Sequence, residues 1–486
     1  MATQSESGTR PAERTFLGQP PLLANLFSVE LWERFSFYGM QGIVLLYMYF
    51  QAGEGGLGID QTVAAGIVGA YGGTVYLFAI VGGWVADRLL GAERTMFISA
   101  VLIMAGHIAL AVVPGIPGLA AGLILVAIGS GGLKTNITSL VGTLYAPGDE
   151  RRDAGFSIFY MGINIGGLLG PLLTGYTQQA WGFHLGFGLA AVGMAIGLVQ
   201  YMLRRKHLPD VARQVPNPLP ARLRLPWAGA ALALVVVIVG AVALGWLTAA
   251  NLATTVVVVT FLAALALFVV LLTSAKLDDD EKSRTRAFIP LFVGNVAFWA
   301  LFQQQFTVVT IYSDTRMNRD VFGWEMPISW VQSFNPAYII LLAPVFAALW
   351  TRLGTRQPVT PTKFALGIIL MGAAFLLFLP MAAVESVPVL WVAFIMLVAT
   401  AGELLISPVG LSFSTKIAPR AYPVLMVALY FLSVAMGTAL SGSLAGLYSA
   451  EREAAYFGGL GALTIAIGVV ILVLGRPVTR ALRGVR

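Results

Sequence analysis

The sequence predicts an all-α membrane protein with fourteen transmembrane helices, arranged as two six-helix bundles plus two extra helices between them. Of its 486 residues, 58% are hydrophobic and only 11% are charged, whereas a soluble domain carries about 25% charged residues. Apolar runs of about 20 residues, the length that crosses a bilayer as a helix, recur along the chain. The positive charges cluster between these runs in a regular way. These three observations exclude a soluble protein.

The apolar runs fall into groups of six, two and six. A polar tail over 1–24 precedes the first bundle, 25–204, and a proline-containing linker over 205–225 precedes the additional pair, 226–275. A charged linker over 276–287 leads to the second bundle, 288–475, and a tail over 476–486 follows. The runs lie near 25–50, 61–86, 95–114, 118–145, 154–178, 183–203, 226–248, 251–275, 288–312, 327–351, 362–382, 388–415, 421–446 and 454–475. Two groups of six around an insert suggest an internal duplication.

The distribution of lysine and arginine predicts the orientation in the membrane, because these residues concentrate in cytoplasmic loops. With the N-terminus inside, the cytoplasmic segments hold 25 of the 30 basic residues, and the outer loops hold three. The remaining two, Arg34 and Lys134, lie within spans. We therefore expect a multi-pass protein of the cell (inner) membrane with both termini in the cytoplasm. The net charge of +7 then indicates contact with an anionic lipid bilayer, and no nucleic acid is expected as a partner.

Composition also excludes several kinds of site. The chain has no cysteine and only three histidines, so disulfides and thiolate metal sites are excluded and a dedicated metal centre is not expected. No nucleophile, base and acid occur in a pattern that would indicate catalysis. We expect neither an enzyme nor a bound cofactor.

Charged residues inside the spans are the main functional signal. Glu30, Glu33 and Arg34 lie in the first span, Lys134 in the fourth and Glu403 in the tenth of the twelve bundle helices. On insertion scales each costs about 2.5–3.5 kcal/mol at the bilayer centre. They could be static ion pairs that join helices, but intramembrane charges most often mark a substrate or proton pathway. The sequence favours the second interpretation, because the charges are divided between the two bundles.

The division of the charges suggests the kind of substrate. Arg34 and Lys134 belong to the first bundle and Glu403 to the second. A cavity with one cationic and one anionic wall suits a zwitterion with a carboxylate and an ammonium group, and the carboxylates could also carry a proton. Tyr38 follows Glu30 and Arg34 at helical spacing and shares their face.

A short turn after the second span carries a second signal. In "GGWVADRLLGAER", Asp87, Arg88 and Arg94 flank a glycine. The stretch could be an ordinary basic turn, although an acid–base pair at a helix end also suits a latch between helices.

Several stretches, taken together, resemble the proton-dependent oligopeptide transporter family within the major facilitator superfamily. "ELWERFSFY", Glu30 to Tyr38, resembles the first-helix motif of that family, and "GGWVADRLLGAER" the loop signature of the superfamily. Further resemblances follow in order to about residue 442: "GSGGLKTNITSLVGTLY", "FSIFYMGINIGGLLGP", "RAFIPLFVGNVAFWALFQQQ", "SFNPAYIILLAPVFAALW" and "GELLISPVGLSFSTKIAP". The resemblance implies the major facilitator fold and proton-coupled symport of di- and tripeptides into the cell by alternating access.

The resemblance also implies roles for individual residues. Arg34 and Lys134 would attract the peptide carboxylate, and Glu403 would hold its ammonium group. Glu30 and Glu33 would exchange protons and salt bridges with Arg34 and Lys134. The other residues implied at the peptide site are Tyr38, Tyr76, Asn164, Trp299, Asn335, Ser407 and Tyr430.

One departure from the family pattern bears on coupling. Gln303 stands in "FWALFQQQ" where many members carry an acid that helps to gate the outer face, and an amide cannot titrate. Coupling would then rest on Glu30, Glu33 and Glu403. The alternative is a symporter or weakly coupled carrier of another small anionic or zwitterionic solute. We expect a monomer with protons as the coupling ion.

Overall fold

The chain is described by a computed structural model, which covers residues 15–146 and 149–483. Residues 1–14 and 484–486, parts of the predicted tails, lie outside the described residues, as do 147–148. The first bundle consists of α1 (Leu22–Tyr49), α2 (Gln61–Val85), α3 (Ala92–Val112), α4 (Gly115–Gly142), α5 (Arg151–Trp181) and α6 (Phe183–Arg204). The additional pair is α7 (Ala221–Ala243) and α8 (Leu252–Thr273).

The second bundle has one interrupted helix. Its elements are α9 (Asp279–Phe302), α10 (Val308–Thr315), α11 (Phe334–Leu353), α12 (Thr360–Leu376), α13 (Val389–Lys416), α14 (Pro423–Ala445) and α15 (Glu453–Val473), followed by the short α16 (Gly475–Ala481). Short strands lie in its loops: β1 (Met317–Asn318) is parallel to β4 (Val387–Pro388), and β2 (Asp320–Val321) is antiparallel to β3 (Trp324–Glu325). The sequence did not predict these strands.

The prediction of fourteen spans in a major facilitator arrangement is confirmed. Within the described residues, 13 helices are long and apolar enough to cross a membrane. Helix α1 falls outside that set because it carries the three charges of the first span, yet it is 28 residues long and packs against α5 and α6 as a member of the bundle. With α1 the set reaches the predicted number.

Most helix ends lie within a few residues of the sequence predictions, and three differences go beyond such shifts or change the kind of element. The segment 276–287 is not a linker throughout: it is helical from Asp279, because the Asp278 carboxylate accepts the Glu281 N–H and the Glu281 carboxylate accepts the Asp278 N–H, which is a capping box. Helix α7 begins at Ala221 and continues through Pro226. The span predicted over 288–312 is divided by a 3₁₀ turn at Gln303–Phe306, after which the backbone at Thr307 leaves the helical region (φ −126°, ψ −99°).

The two bundles meet along α2 and α14 and along α5 and α11. Glycines allow the first approach, because a Cβ on Gly69 would lie 2.5 Å from the Cα of Gly442. We call the end of the bundles at which α1 begins and α15 ends the proximal end, and the opposite end the distal end.

Hydrogen bonds join the bundles at the distal end. The Tyr49 hydroxyl of α1 donates to the Asp314 carboxylate of α10 at 2.7 Å. From the 3₁₀ turn before α11, side chains donate to carbonyls of α5: Ser329 to Pro171 at 3.1 Å, Trp330 to Leu172 at 2.9 Å and Ser333 to Leu168 at 3.0 Å. The distal end is therefore closed.

Candidate transport site

The charges of the first span form one buried cluster on α1. The Arg34 Nε lies 2.8 Å from Glu30 Oε1 and 2.9 Å from Glu33 Oε2. All three residues are at most 5% exposed. Ser130 of α4 donates a hydrogen bond to the second Glu33 oxygen at 2.9 Å. Pairing and hydrogen bonding offset the cost of burying these charges.

Lys134 lies next to this cluster on α4. Its Nζ is 4.3 Å from the centre of the Tyr76 ring of α2, a cation–π contact, and the ammonium is within electrostatic range of Arg34, Glu30 and Glu33. Within the part of the chain that the structure describes, Lys134 has no carboxylate within 4.0 Å. Its positive charge is therefore available to an anionic group.

Glu403 occupies the corresponding place in the second bundle. Asn335 of α11 donates from its amide to Glu403 Oε2 at 2.8 Å and to the Thr400 hydroxyl at 3.1 Å. Glu403 is 8% exposed, and among the described residues no basic side chain pairs with it within 4.0 Å. The second bundle thus holds a carboxylate whose only described side-chain partner is a neutral amide.

Tyrosines connect the two charged groups across the interface between the bundles. The Glu403 carboxyl lies within electrostatic range of the hydroxyls of Tyr38 and Tyr76 of the first bundle. Tyr76 also carries the Lys134 ammonium on its ring face. The Tyr38 ring stacks on Phe306 of the second bundle with centroids 6.2 Å apart. Tyr76 therefore lies close both to the cation of the first bundle and to the carboxylate of the second.

The remaining residues predicted for the site lie on α5, α9, α13 and α14. The Asn164 amide of α5 donates to the Tyr160 carbonyl at 3.0 Å, and Ser407 lies one turn beyond Glu403 and is partly exposed. Trp299 of α9 is 7% exposed, and its Nε1 has no hydrogen-bond partner in the described residues. Tyr430 of α14 is buried against Gly410, where a Cβ would lie 2.6 Å from its ring.

Three residues of this region were missed by the sequence analysis. Tyr160 is 43% exposed and lies within electrostatic range of Glu403 and Tyr38. Ser130 donates to Glu33 of the charged cluster, and the Thr400 hydroxyl accepts from the Asn335 amide, as described above. Tyr160 and Ser130 each lie four residues before a predicted site residue and Thr400 three before one, so helical spacing from those residues was the available signal.

The predicted gating residues occupy two different places: Asp87, Arg88 and Arg94 lie at the proximal end, and Gln303 lies in the turn whose Phe306 stacks on Tyr38. Asp87 and Arg88 pair at 3.4 Å, both about 40% exposed, at the proximal end. Asn217 of the linker donates to the Asp87 carboxylate at 2.8 Å. Arg94 is exposed at the start of α3. Gln303 is 8% exposed in the turn that divides α9 from α10, so the structure does not bring it together with the Asp87 turn.

Comparison with known proteins agrees with this geometry. The family model PTR2, described as the POT family, matches residues 93–463. The chain is 42% identical to an uncharacterized transporter, YclF, of Bacillus subtilis, with 97% of each chain covered. It is 39% identical to a di-/tripeptide transporter of Lactococcus lactis, covering 98% of this chain and 99% of the relative. A crystal structure of the peptide transporter POT with sulfate is 42% identical, with a TM-score of 0.94 and 97% and 98% of the two chains covered.

Proposed function

The chain belongs to the POT family and is a secondary transporter, and on that premise we propose that it carries di- and tripeptides into the cell together with protons, by alternating access. The observation that carries this proposal is that Lys134 of the first bundle contacts the ring of Tyr76, while Glu403 of the second bundle lies within electrostatic range of the same tyrosine. A short peptide presents a carboxylate and an ammonium group at its two ends. Such a ligand would join the two bundles through its own charges.

The first bundle would hold the peptide carboxylate. Lys134 has no carboxylate partner within 4.0 Å in the described residues, so a ligand carboxylate would not have to displace one. Arg34 is already paired with Glu30 and Glu33. Tyr38 and Tyr76 offer hydroxyl groups beside these cations. Charge-assisted hydrogen bonds of this kind are about twice as strong as neutral ones.

The second bundle would hold the peptide ammonium group. Glu403 is oriented by the Asn335 amide, which occupies one of its oxygens and leaves the other for a ligand. Asn164 and Ser407 would add polar contacts on either side of Glu403. Trp299 and Tyr430 would shape the pockets that receive the peptide side chains.

Proton coupling would rest on competition for Arg34 and Lys134. When Glu33 or Glu30 takes up a proton, its hold on Arg34 weakens, and Arg34 becomes available to the peptide carboxylate. When the proton leaves, the carboxylate pairs with Arg34 again and the peptide is released. Gln303 cannot take part in proton transfer, so the acids of this scheme are Glu30, Glu33 and Glu403. Protons are the coupling ion, and no other cofactor is proposed.

We place the proximal end, with both termini, in the cytoplasm, because most of the basic residues of the chain belong to that end. The distal closure then corresponds to an inward-facing state of a cell inner-membrane protein. The Asp87–Arg88 turn, with Arg94 nearby, would act as a cytoplasmic latch. We propose a monomer in an anionic lipid bilayer as the functional unit.

The decisive experiment is uptake of labelled dialanine into liposomes that contain the purified protein. We expect accumulation when the outside is acidic, and only equilibration when the pH is equal on both sides. Empty liposomes and liposomes with the Glu403→Gln variant are the controls. If dialanine does not enter above the rate of empty liposomes, the peptide proposal is wrong; if it enters but ignores the gradient, the proton part is wrong.

A second substrate class is favoured by one observation. A POT family transporter that is 37% identical to this chain, with a TM-score of 0.91, was solved with 5-aminolevulinic acid. That compound also carries an amino and a carboxylate group. Thermal stabilisation in detergent distinguishes the classes, because a ligand at 100 times its Kd adds about 2.7 kcal/mol. Stabilisation by 5-aminolevulinic acid but not by any of a panel of di- and tripeptides would favour this second class.

A further inference from the structure

The two additional helices attach to different bundles. Helix α7 has no buried residue and approaches the first bundle through Trp227, whose ring centre lies 4.9 Å from that of Trp84 of α2. The linker before α7 is bonded to the turn after α2: the Asn217 N–H donates to the Asp87 carbonyl at 3.0 Å and the Leu219 N–H to the Arg88 carbonyl at 2.9 Å. The entry to the pair is thus fixed to the first bundle.

Helix α8 follows the second bundle. It packs along α14 and also contacts α9, where Phe268 and Phe292 meet edge to face with centroids 5.4 Å apart. At its proximal end Ser274 and the Tyr422 hydroxyl are 3.4 Å apart. The exit from the pair is thus fixed to the second bundle, and the pair spans the interface between the two.

The distal part of α8 fills the groove between α2 and α14. Ala253 and Val256 of α8 are buried together with Ala70 of α2 and Ala439 of α14 in a small apolar cluster of their own. The fit is close, since a Cβ placed on Gly73 of α2 would lie 3.2 Å from a methyl group of Val256. Helix α8 therefore contacts both bundles at the point where they close the distal end.

We propose that α8 is a brace that holds α2 against α14 and stabilises the closed distal end. The proposal rests on the proposed function, since alternating access requires α2 and α14 to separate distally. Because α8 is packed along α14, this separation removes α8 from α2 and exposes the apolar cluster. The brace therefore favours the state in which the distal end is closed, and its packing sets the population of the opposite state.

The neighbouring residues of α8 provide a matched control. Val258 is on the same helix, has the same side chain as Val256, and is 49% exposed, whereas Val256 is 9% exposed. A role of α8 in membrane insertion alone would make the two valines equivalent or would favour Val258. If α8 acts as a brace, Val256 and not Val258 must contribute to the stability of the closed distal end.

The test is the distance between the distal ends of the bundles, measured by double electron–electron resonance. Spin labels are attached to Ala52→Cys and Leu390→Cys, both exposed distal positions, in a chain that has no other cysteine. We expect Val256→Ala to raise the fraction of the longer distance about fivefold, because the shorter side chain leaves a gap and loses van der Waals contacts with α2. Val258→Ala is expected to match the parent.

A methyl group added to α2, on the side that faces α8, tests the brace by adding a contact and not by removing one. A Cβ on Gly66 of α2 would lie 3.9 Å from that of Ala253, an ordinary van der Waals distance. We expect Gly66→Ala to reverse the effect of Val256→Ala, and Gly83→Ala, elsewhere on α2, to leave it unchanged. An unchanged distance distribution in Val256→Ala, or no reversal by Gly66→Ala, overturns the brace. Because no transport is measured, failure of peptide uptake would be a separate result.

Discussion

The hydroxyl of Tyr49 and the carboxylate of Asp314 are 2.7 Å apart and join the first and second bundles at the distal end. Both side chains come from helix ends, and neither was a candidate in the sequence analysis. Opening of the distal end must separate α1 from α10, so this bond exists only in the closed state.

Tyr49→Phe should therefore favour opening of the distal end. A hydrogen bond to a charged group contributes about 1.5–3 kcal/mol, which corresponds to roughly tenfold or more in the population of the open state. The measurement is maleimide labelling of Ser329→Cys, a position that is 1% exposed in the closed state. Tyr176→Phe, on a side chain that is 48% exposed, is the control and should label at the parent rate. Equal rates for both variants would contradict the role of Tyr49.

Glu403→Gln should abolish uptake of peptides with a free N-terminus. The substitution keeps the shape of the side chain that the Asn335 amide contacts but removes the charge opposite the ammonium group. Loss of such a buried charge pair costs about 2–5 kcal/mol, so binding of dialanine should weaken at least tenfold, with normal expression. Glu451→Gln, at an exposed glutamate, should transport normally. Normal uptake by Glu403→Gln would show that Glu403 does not bind the peptide ammonium group.

Lys134→Ala should separate transport from accumulation. The variant loses the cation that lies on the Tyr76 ring and in range of Glu30 and Glu33, while Arg34 remains for the peptide carboxylate. We expect no concentration of peptide under a pH gradient, but exchange of labelled for unlabelled peptide across the liposome membrane. Lys206→Ala, at an exposed lysine, is the control. Gradient-driven accumulation by Lys134→Ala would show that the lysine has only a structural role and is not needed for proton coupling.

Gln303→Glu should increase the dependence of uptake on the pH gradient, since it places a titratable group in the turn between α9 and α10. Accumulation of dialanine at several outside pH values measures the change. Gln303→Leu is the neutral counterpart and should keep the parent pH profile. If Gln303→Leu alters the pH profile as strongly as Gln303→Glu does, the amide of Gln303 itself takes part in gating.

The break in the seventh helix of the two bundles shows where prediction from sequence ended. Residues 288–312 read as one apolar run, and nothing in their pattern marks the 3₁₀ turn at Gln303–Phe306. Its side chains are nevertheless fixed by tertiary contacts, such as the Tyr456 hydroxyl that donates to Gln304 at 2.7 Å. Short-range pattern cannot report a partner that lies 152 residues away in the chain.

The class of the protein, the number of its spans and the presence of opposite charges in its two halves follow from the sequence, because the cost of placing charge and polar backbone in a bilayer acts on each segment separately. Only the packing of the bundles shows that Lys134 and Glu403 both lie near Tyr76, that Tyr49 bonds to Asp314, and that α8 contacts both α2 and α14. These relationships depend on how the bundles pack against each other, and no local pattern records that packing.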